Sequence, residues 1–559
     1  MKKGLTLFLS LIVVQAKAQL DPFGYPITKH ITVKNAAVVS AHPLASDAGL
    51  QMLRQGGNAI DASIATQLAL AVVYPGAGNL GGGGFLVATL KNGETLAIDY
   101  REKAPLAAHR DMYLDEKGNV IPDLSVSGHR AAGVPGTVAG LFQSHKYGKL
   151  PFATLIKPAI LLAKGFVITE AEARGLNAHQ ADFIKYNTRP TAFVRTGGWK
   201  AGDTLVQEEL ARTLERIRDG GMDGFYKGET ARLISEEMQR GKGIITLEDL
   251  ATYQAAERKA VVFSYKKHTI VTMSLPSSGG ILLPQMLGMT EDKKLGKKGF
   301  HHPEAVQWMI EAERRAYADR AQYLGDTDFV KVPVKALVNS AYFRERMKDV
   351  VPGKAGNSDT TRAGEFPESE ETTHLSVIDS EGNAVSVTTT LNGGYGSKTV
   401  VGGAGFLLNN EMDDFSVKPG VPNMYGALGT EANAIAPGKR MLSSMTPTIV
   451  LKRSKPFMVV GTPGGTTIPT SLYQSIVNVL DFGLSASDAV NKPKFHHQWK
   501  PDVVFVEKDF PEATTEALTK MGYKIQKRGG IGRTELILIK GKKIEAVGDK
   551  RGDDAAVGF

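Results

Sequence analysis

The sequence predicts a mixed α+β fold in which β-hairpins and helices stack in layers. Three observations carry this reading. Short apolar runs are paired across turn residues, long apolar helical stretches lie between them, and a 42% hydrophobic content over 559 residues is enough for a large core. Ala45 to Gln55 reads as a helix closed by Gly56-Gly57 with Asp47 in its first turn, and Ala59 to Val73 as an apolar helix ending before Pro75. Gly81-Gly82-Gly83-Gly84 leads into a hairpin, Phe85 to Leu90 and Thr95 to Tyr100, around the turn Lys91-Asn92-Gly93-Glu94. Pro151 to Leu324 is mostly helical by pattern, with its clearest break at Pro276-Ser277-Ser278-Gly279-Gly280. A second hairpin joins Thr372 to Ile378 with Ala384 to Thr390 across Asp379 to Asn383. Beyond it, Pro456 to Gly461, Val503 to Val506 and Leu536 to Ile539 read as strands, and Thr470 to Leu480 and Pro511 to Met521 as helices. There is no internal repeat.

The first residues carry a targeting pattern. Met1-Lys2-Lys3, the apolar run Leu5 to Val14 and Ala16-Lys17-Ala18 match the three regions of a secretory signal peptide, so residues 1–18 are expected to be removed on export, with a bacterial periplasm as the destination. The apolar run is too short to span a bilayer, and no later run approaches the roughly 20 residues that spanning needs. An uncleaved anchor is the alternative. Loss of Lys2, Lys3 and Lys17 takes the formal net charge from +9 to +6, a modest value carried by dispersed lysines; the densest group, Lys293-Lys294 and Lys297-Lys298, reads as a solvated loop. No nucleic-acid module is visible. The absence of cysteine excludes disulfides, zinc-thiolate sites and thiol nucleophiles.

The second hairpin holds the most informative residue. Thr361 to Glu371 is a polar, acidic loop containing Gly364 and Pro367, and Thr372 follows at the threshold of the strand. If the chain is cut between Glu371 and Thr372, the new terminus carries a hydroxyl nucleophile together with its own base. A threonine hydroxyl needs a neighbouring base, and a free α-amino group has a pKa of about 7.7 to 8.0. Locally, the alternative is a β-branched residue that merely opens an edge strand.

Downstream segments keep a fixed order behind Thr372-Thr373-His374: Thr390-Leu391-Asn392, Asn409 to Phe415, Arg440 to Pro447, and Gly461-Thr462-Pro463-Gly464-Gly465. With them the chain resembles the γ-glutamyltransferase (γ-glutamyltranspeptidase, glutathione hydrolase) family of N-terminal nucleophile hydrolases. The resemblance extends over nearly the whole chain after residue 18, through Gly81 to Phe85, Asp99 to Pro105, Tyr317-Ala318-Asp319-Arg320 and Phe495 to Trp499. It implies a four-layer αββα sandwich and self-cleavage into a large subunit, residues 19–371, and a small subunit, residues 372–559, that stay together as a heterodimer. It also implies that no cofactor or metal is needed.

Roles follow from the same resemblance. Thr372 is the nucleophile, Thr390 the hydroxyl that orients it, and the amides of Gly464 and Gly465 the oxyanion hole. Arg101, Ser443 and Ser444 match the groups that hold the substrate α-carboxylate; Asn392, Glu411 and Asp414 match the ammonium side. Pro419 to Gly429 resembles the lid loop of glutathione-cleaving members, with Tyr425 as the lid tyrosine. This favours glutathione and other γ-glutamyl compounds as donors, and water, amino acids or peptides as acceptors. The chain departs from the commonest bacterial pattern at Glu411, where glutamine also occurs, at Gly393-Gly394-Tyr395-Gly396, and at Glu371. Two rival readings stand beside this one: an acylase of the same superfamily acting on cephalosporin or glutaryl groups, and an unprocessed envelope binding protein.

Three other patterns are weaker. Gly81 to Gly84 lacks the Lys-Ser/Thr of a phosphate loop. The pairs His301-His302 and His496-His497 lack companion carboxylates, and adjacent residues seldom chelate one metal. Arg551-Gly552-Asp553 is a three-residue match to an adhesion motif.

Overall fold

The computed structural model describes residues 20–361, 372–418 and 430–559. The expected signal peptide, Glu371 and the expected lid loop with Tyr425 therefore lie outside the described residues. Among those described, two seven-stranded antiparallel sheets dominate. One runs Ala555–Gly558, Ala37–Ser40, Thr373–Ile378, Ala384–Thr390, Gly83–Thr89, Thr95–Asp99, Ala256–Glu257 from edge to edge; the other runs His30–Val33, Lys543–Val547, Glu535–Lys540, Lys455–Gly461, Thr448–Lys452, His268–Thr272, Val261–Tyr265. Both sheets combine strands from before residue 361 with strands from after residue 372.

The side chains on the strands state the layering. Leu375, Val377, Val385 and Val387 join one core with the helices Pro43–Arg54 and Ala59–Val73, the outer layer on that side. Val39, Phe85, Val87 and Ile378 meet Val271, Ile449, Val459 and Ile537 of the second sheet in a core between the sheets. Val450, Met458, Val460, Leu536 and Leu538 turn the other way, against the helices Gly279–Thr290, Pro303–Tyr323 and Thr467–Leu480. This period-two division of apolar residues between two faces produces four layers, helix, sheet, sheet and helix. The fold is the αββα sandwich that the resemblance implied.

Most boundaries lie within a few residues of those read from the pattern: the helices occupy Pro43–Arg54, Ala59–Val73, Thr467–Leu480 and Glu512–Lys520. Two readings change. The middle segment is not helical throughout, because the hairpin Val261–Tyr265 and His268–Thr272 closes one edge of the second sheet. The lysine-rich stretch is not a plain loop but a 3-10 turn, Glu291–Lys293, followed by a short helix, Leu295–Lys298. Thr372 stands not at a sheet edge but at the mouth of a central strand, flanked by Ala37–Ser40 on one side and Ala384–Thr390 on the other.

Polar residues interrupt the inter-sheet face of this central hairpin, and each is paired. His374 reaches Thr388 Oγ1 at 2.9 Å and Ser376 Oγ at 3.1 Å; Ser376 donates to the carbonyl of Glu535, and Ser386 to that of Val460, both at 3.2 Å. His374 fits because Gly461 opposes it: a Cβ on Gly461 would sit 2.2 Å from the imidazole Cε1. The ring is pinned at both nitrogens, so it cannot yield. Gly461→Ala is expected to lower stability by about 1–3 kcal/mol, the usual cost of overpacking, read as a lower melting temperature of the purified protein. A melting temperature equal to that of the parent would refute this close packing.

Candidate functional site

Thr372 immediately precedes the register in which Thr373 pairs with Thr389, which sets it at the strand end that carries Thr390. It is 6% exposed and lines a cavity of about 490 Å³ with Tyr74, Pro463, Gly464, Gly530, Gly532, Arg533 and Arg551. Thr390 is the last residue of its strand, and its Oγ1 accepts the amide of Asn392 at 2.7 Å. The strand Gly83–Thr89 flanks Ala384–Thr390 on the far side and fixes its end, so the glycine run before Phe85 serves the sheet.

Pro463 and Gly464 line the same cavity, and Gly465 follows in the chain. Both glycines have positive φ, +129° and +54°, a region in which side chains are strained. Their carbonyls start the helix Thr467–Leu480: Gly464 O accepts Thr467 N at 2.9 Å and Thr467 Oγ1 at 2.6 Å, and Gly465 O accepts Ile468 N at 3.1 Å. The two amides have no acceptor among the described residues. They lie at the positive end of the helix dipole beside Thr372, an arrangement suited to a developing oxyanion.

Arg101 heads a second cluster. It follows the strand Thr95–Asp99 and is 1% exposed, contrary to the solvated state usual for an arginine at a strand end. Its Nη1 lies 2.5 Å from Glu411 Oε2 and 3.4 Å from Glu102 Oε2, its Nη2 pairs with Asp414, and Nε and Nη2 also donate to the carbonyls of Met441 and Leu442. Burial opposes the charge of Arg101, but Glu411, Asp414 and Glu102 outweigh it and raise its pKa. Burial raises the pKa of Glu411 and of Glu102, and neighbouring carboxylates add to this against the pull of Arg101. The groups expected on the carboxylate and ammonium sides of a substrate are thus paired with one another.

The remaining residues converge on the same place. Ser443 is fixed through its backbone to Pro276 and Ser278, and its Oγ accepts Met445 N at 3.2 Å. Ser444 Oγ accepts from Arg320 at 3.0 Å, a buried arginine of the helix Pro303–Tyr323 whose role the sequence did not disclose. Asn392, at φ +73°, donates to the carbonyl of Asn410, and Asn433 clamps the cluster by donating to Asp414 O and accepting Leu442 N. Glu411 to Asp414 is a 3-10 turn.

The cavity wall formed by Tyr74, Gly530, Gly532, Arg533 and Arg551 was not anticipated; only the Gly-rich run before Arg533 hinted at a turn. The weaker motifs resolve as structure. His496 bonds Thr470 Oγ1 and Gln498, and His497 pairs with Asp502; burial lowers the two pKa values to about 3 and about 4, so both are neutral core histidines. Arg551 is tied to Glu507 and Asp549.

The family model described as gamma-glutamyltranspeptidase matches residues 45–559. The chain belongs to this family. Among its gamma-glutamyltranspeptidase relatives, the glutathione hydrolase proenzyme of Escherichia coli (strain K12) is 45% identical over 537 residues, covering 95% of this chain and 93% of that one. Two solved structures agree with the fold. A cephalosporin acylase from Bacillus halodurans superposes with a TM-score of 0.83 at 26% identity, over 97% of this chain and 99% of that one; the gamma-glutamyltranspeptidase of Helicobacter pylori gives 0.56 at 44% identity, over 61% of this chain and 96% of that one. As a gamma-glutamyltranspeptidase family member, the chain is an enzyme with an N-terminal nucleophile hydrolase fold.

His374, next but one to Thr372, supplies a pH test of the site's foundation. Burial lowers its pKa to about 3, against about 6.5 in the unfolded chain. Between these values the unfolded chain binds a proton that the folded one does not, so the contribution of neutral His374 is complete above pH 6.5 and falls as pH drops toward 3. In urea titrations from pH 7.5 to 4.5, His374→Gln should be less stable than the parent at neutral pH, with a gap that narrows on acidification by at most about 1.4 kcal/mol per pH unit. A constant gap would contradict a buried neutral imidazole.

Proposed function

We propose that this chain is a periplasmic, self-processing γ-glutamyltransferase and glutathione hydrolase, exported by residues 1–18 and cut between Glu371 and Thr372. The observation that carries the reading is the placement of Thr372 at the mouth of a central strand, lining one cavity with Gly464, with a buried cluster of Arg101, Glu411 and Asp414 in the same fold. Before cleavage, Thr372 Oγ attacks the Glu371 carbonyl, the peptide shifts to an ester, and water releases residue 371. The freed amine then serves as base.

In turnover, Thr372 Oγ attacks the γ-carbonyl of the donor while its proton passes to the amine. The oxyanion is held by the amides of Gly464 and Gly465, and Thr390 orients the nucleophile. Collapse expels the peptide amine, which takes the proton, and leaves a γ-glutamyl ester on Thr372. Water or an incoming amine then attacks the ester. The donor α-carboxylate takes Arg101, Ser443 and Ser444, and its ammonium takes Asn392, Glu411 and Asp414, with Tyr425 closing over it.

Similarity to the cephalosporin acylase favours one second reading, an acylase acting on donors without an α-ammonium. Product release from glutathione and from a glutaryl amide separates the two: the γ-glutamyl reading expects glutathione to be preferred, and a preference for the glutaryl compound would reject the pocket assignment. Mass spectrometry of the purified protein should show residues 19–371 and 372–559 as separate chains. Thr372→Ala should abolish both cutting and turnover, whereas Arg101→Ala should still cut and lose substrate affinity. A parent protein that remains one uncut chain without turnover would instead support an envelope binding protein.

A further inference from the structure

The roles above use one side of the cavity beside Thr372. Its other side holds two arginines that differ in what remains of their bonding capacity. Arg551 is spent: Nε and Nη2 hold Glu507 at 2.6 Å each, and Nη1 holds both oxygens of Asp549 and the carbonyl of Val490. Arg533 is not. Nε donates to Asp554 at 2.6 Å, Nη1 to Tyr74 Oη at 2.6 Å and Nη2 to the carbonyl of Ala41 at 2.9 Å, which engages three of the five N–H groups of a guanidinium. The other two have no acceptor among the described residues, and the side chain is 17% exposed where it lines the cavity.

Position adds to this. The Arg533 amide donates to Thr462 Oγ1 at 2.7 Å, which ties the residue to the loop Thr462-Pro463-Gly464 that presents the oxyanion amides. Its guanidinium lies 5.0 Å from the centre of the Tyr74 ring, which limits its swing. Arg101 does not line this cavity, so the acyl half of a donor and its amine half face different cations. At about 490 Å³ the cavity has room for a dipeptide.

We infer that Arg533 is the specificity residue for the amine half: it binds the C-terminal carboxylate of the peptide that leaves Thr372, and of the peptide that arrives as acceptor. The inference rests on the γ-glutamyl reading and deepens it. A carboxylate met by a guanidinium with free N–H groups gains a charge-assisted hydrogen bond, whereas a neutral aromatic amine gains none.

The test compares glutathione, whose departing dipeptide ends in a carboxylate, with γ-glutamyl-p-nitroanilide, whose leaving group is neutral. In Arg533→Gln the ratio of kcat/KM for glutathione to that for the anilide should fall about tenfold or more, through KM rather than kcat, and Arg533→Lys should recover part of it. A ratio equal to the parent's would overturn the inference. Because Arg533 also joins Asp554 to Ala41, the parent enzyme supplies a measurement that needs no variant: with the anilide as donor, glycylglycine should exceed its C-terminal amide as acceptor by about tenfold or more. Equal transfer to the two acceptors would overturn the inference while leaving the γ-glutamyl reading intact. A parent enzyme that turns over neither donor would refute that reading and this inference with it.

Discussion

The site depends on the burial of one hairpin on both faces. Thr373–Ile378 and Ala384–Thr390 are buried along their whole length, with helices on one side and the second sheet on the other. Such a strand has no freedom to slip, because a shift of one residue would send Leu375 and Val377 into the polar seam and His374 into the helix layer. The position of Thr372 is therefore decided by residues that do no chemistry. The hydroxyl at the strand mouth is only as well placed as the match between Leu375 and Val377 outside, His374 and Ser376 inside, and the bare backbone of Gly461 beneath the imidazole.

A second constraint is electrostatic. Arg101 is buried among three carboxylates, an arrangement that costs desolvation and is compensated only while the partners stay in contact. Asn433, the Leu442 amide and the Asp414 carbonyl bind the cluster to its surroundings, and Arg320 brings Ser444 to its rim from a different layer. The result is a cluster that already contains both signs of charge, so on the proposed reading a zwitterionic ligand would exchange partners rather than bring charge into an apolar place.

Much of this was legible in the sequence, for identifiable reasons. The hairpin and the main helices follow from apolar periodicity, and the turn at Gly464-Gly465 from its glycines. The grouping of Arg101 with Glu411, Asp414, Ser443 and Ser444 was legible only through the resemblance, since no local pattern relates residues some 300 positions apart. The pairing of Arg101 with its own acidic neighbours was not legible, because motif matching names roles and says nothing about which groups satisfy each other when no substrate is present. Arg533 and Tyr74 escaped for a related reason: neither belongs to a patterned segment, and only the packing of the second sheet against the first brings them to Thr372. The hairpin Val261–Tyr265 and His268–Thr272 carries a β-branched and aromatic signal, but it lies inside a long stretch whose pattern is otherwise helical.

The sharing of both sheets between the two segments bears on what a cut at residue 371 would do to the molecule. Ala37–Ser40 lies between Ala555–Gly558 and Thr373–Ile378, and His30–Val33 is held by Lys543–Val547. Two polypeptides so combined share the cores on both faces of each sheet, and neither retains a complete sheet without the other. Their separation would be indistinguishable from unfolding, so dilution would not dissociate them and one copy would not trade its partner with another. Counted by covalent bonds the product of such a cut would be a heterodimer; by its thermodynamics it would remain one body.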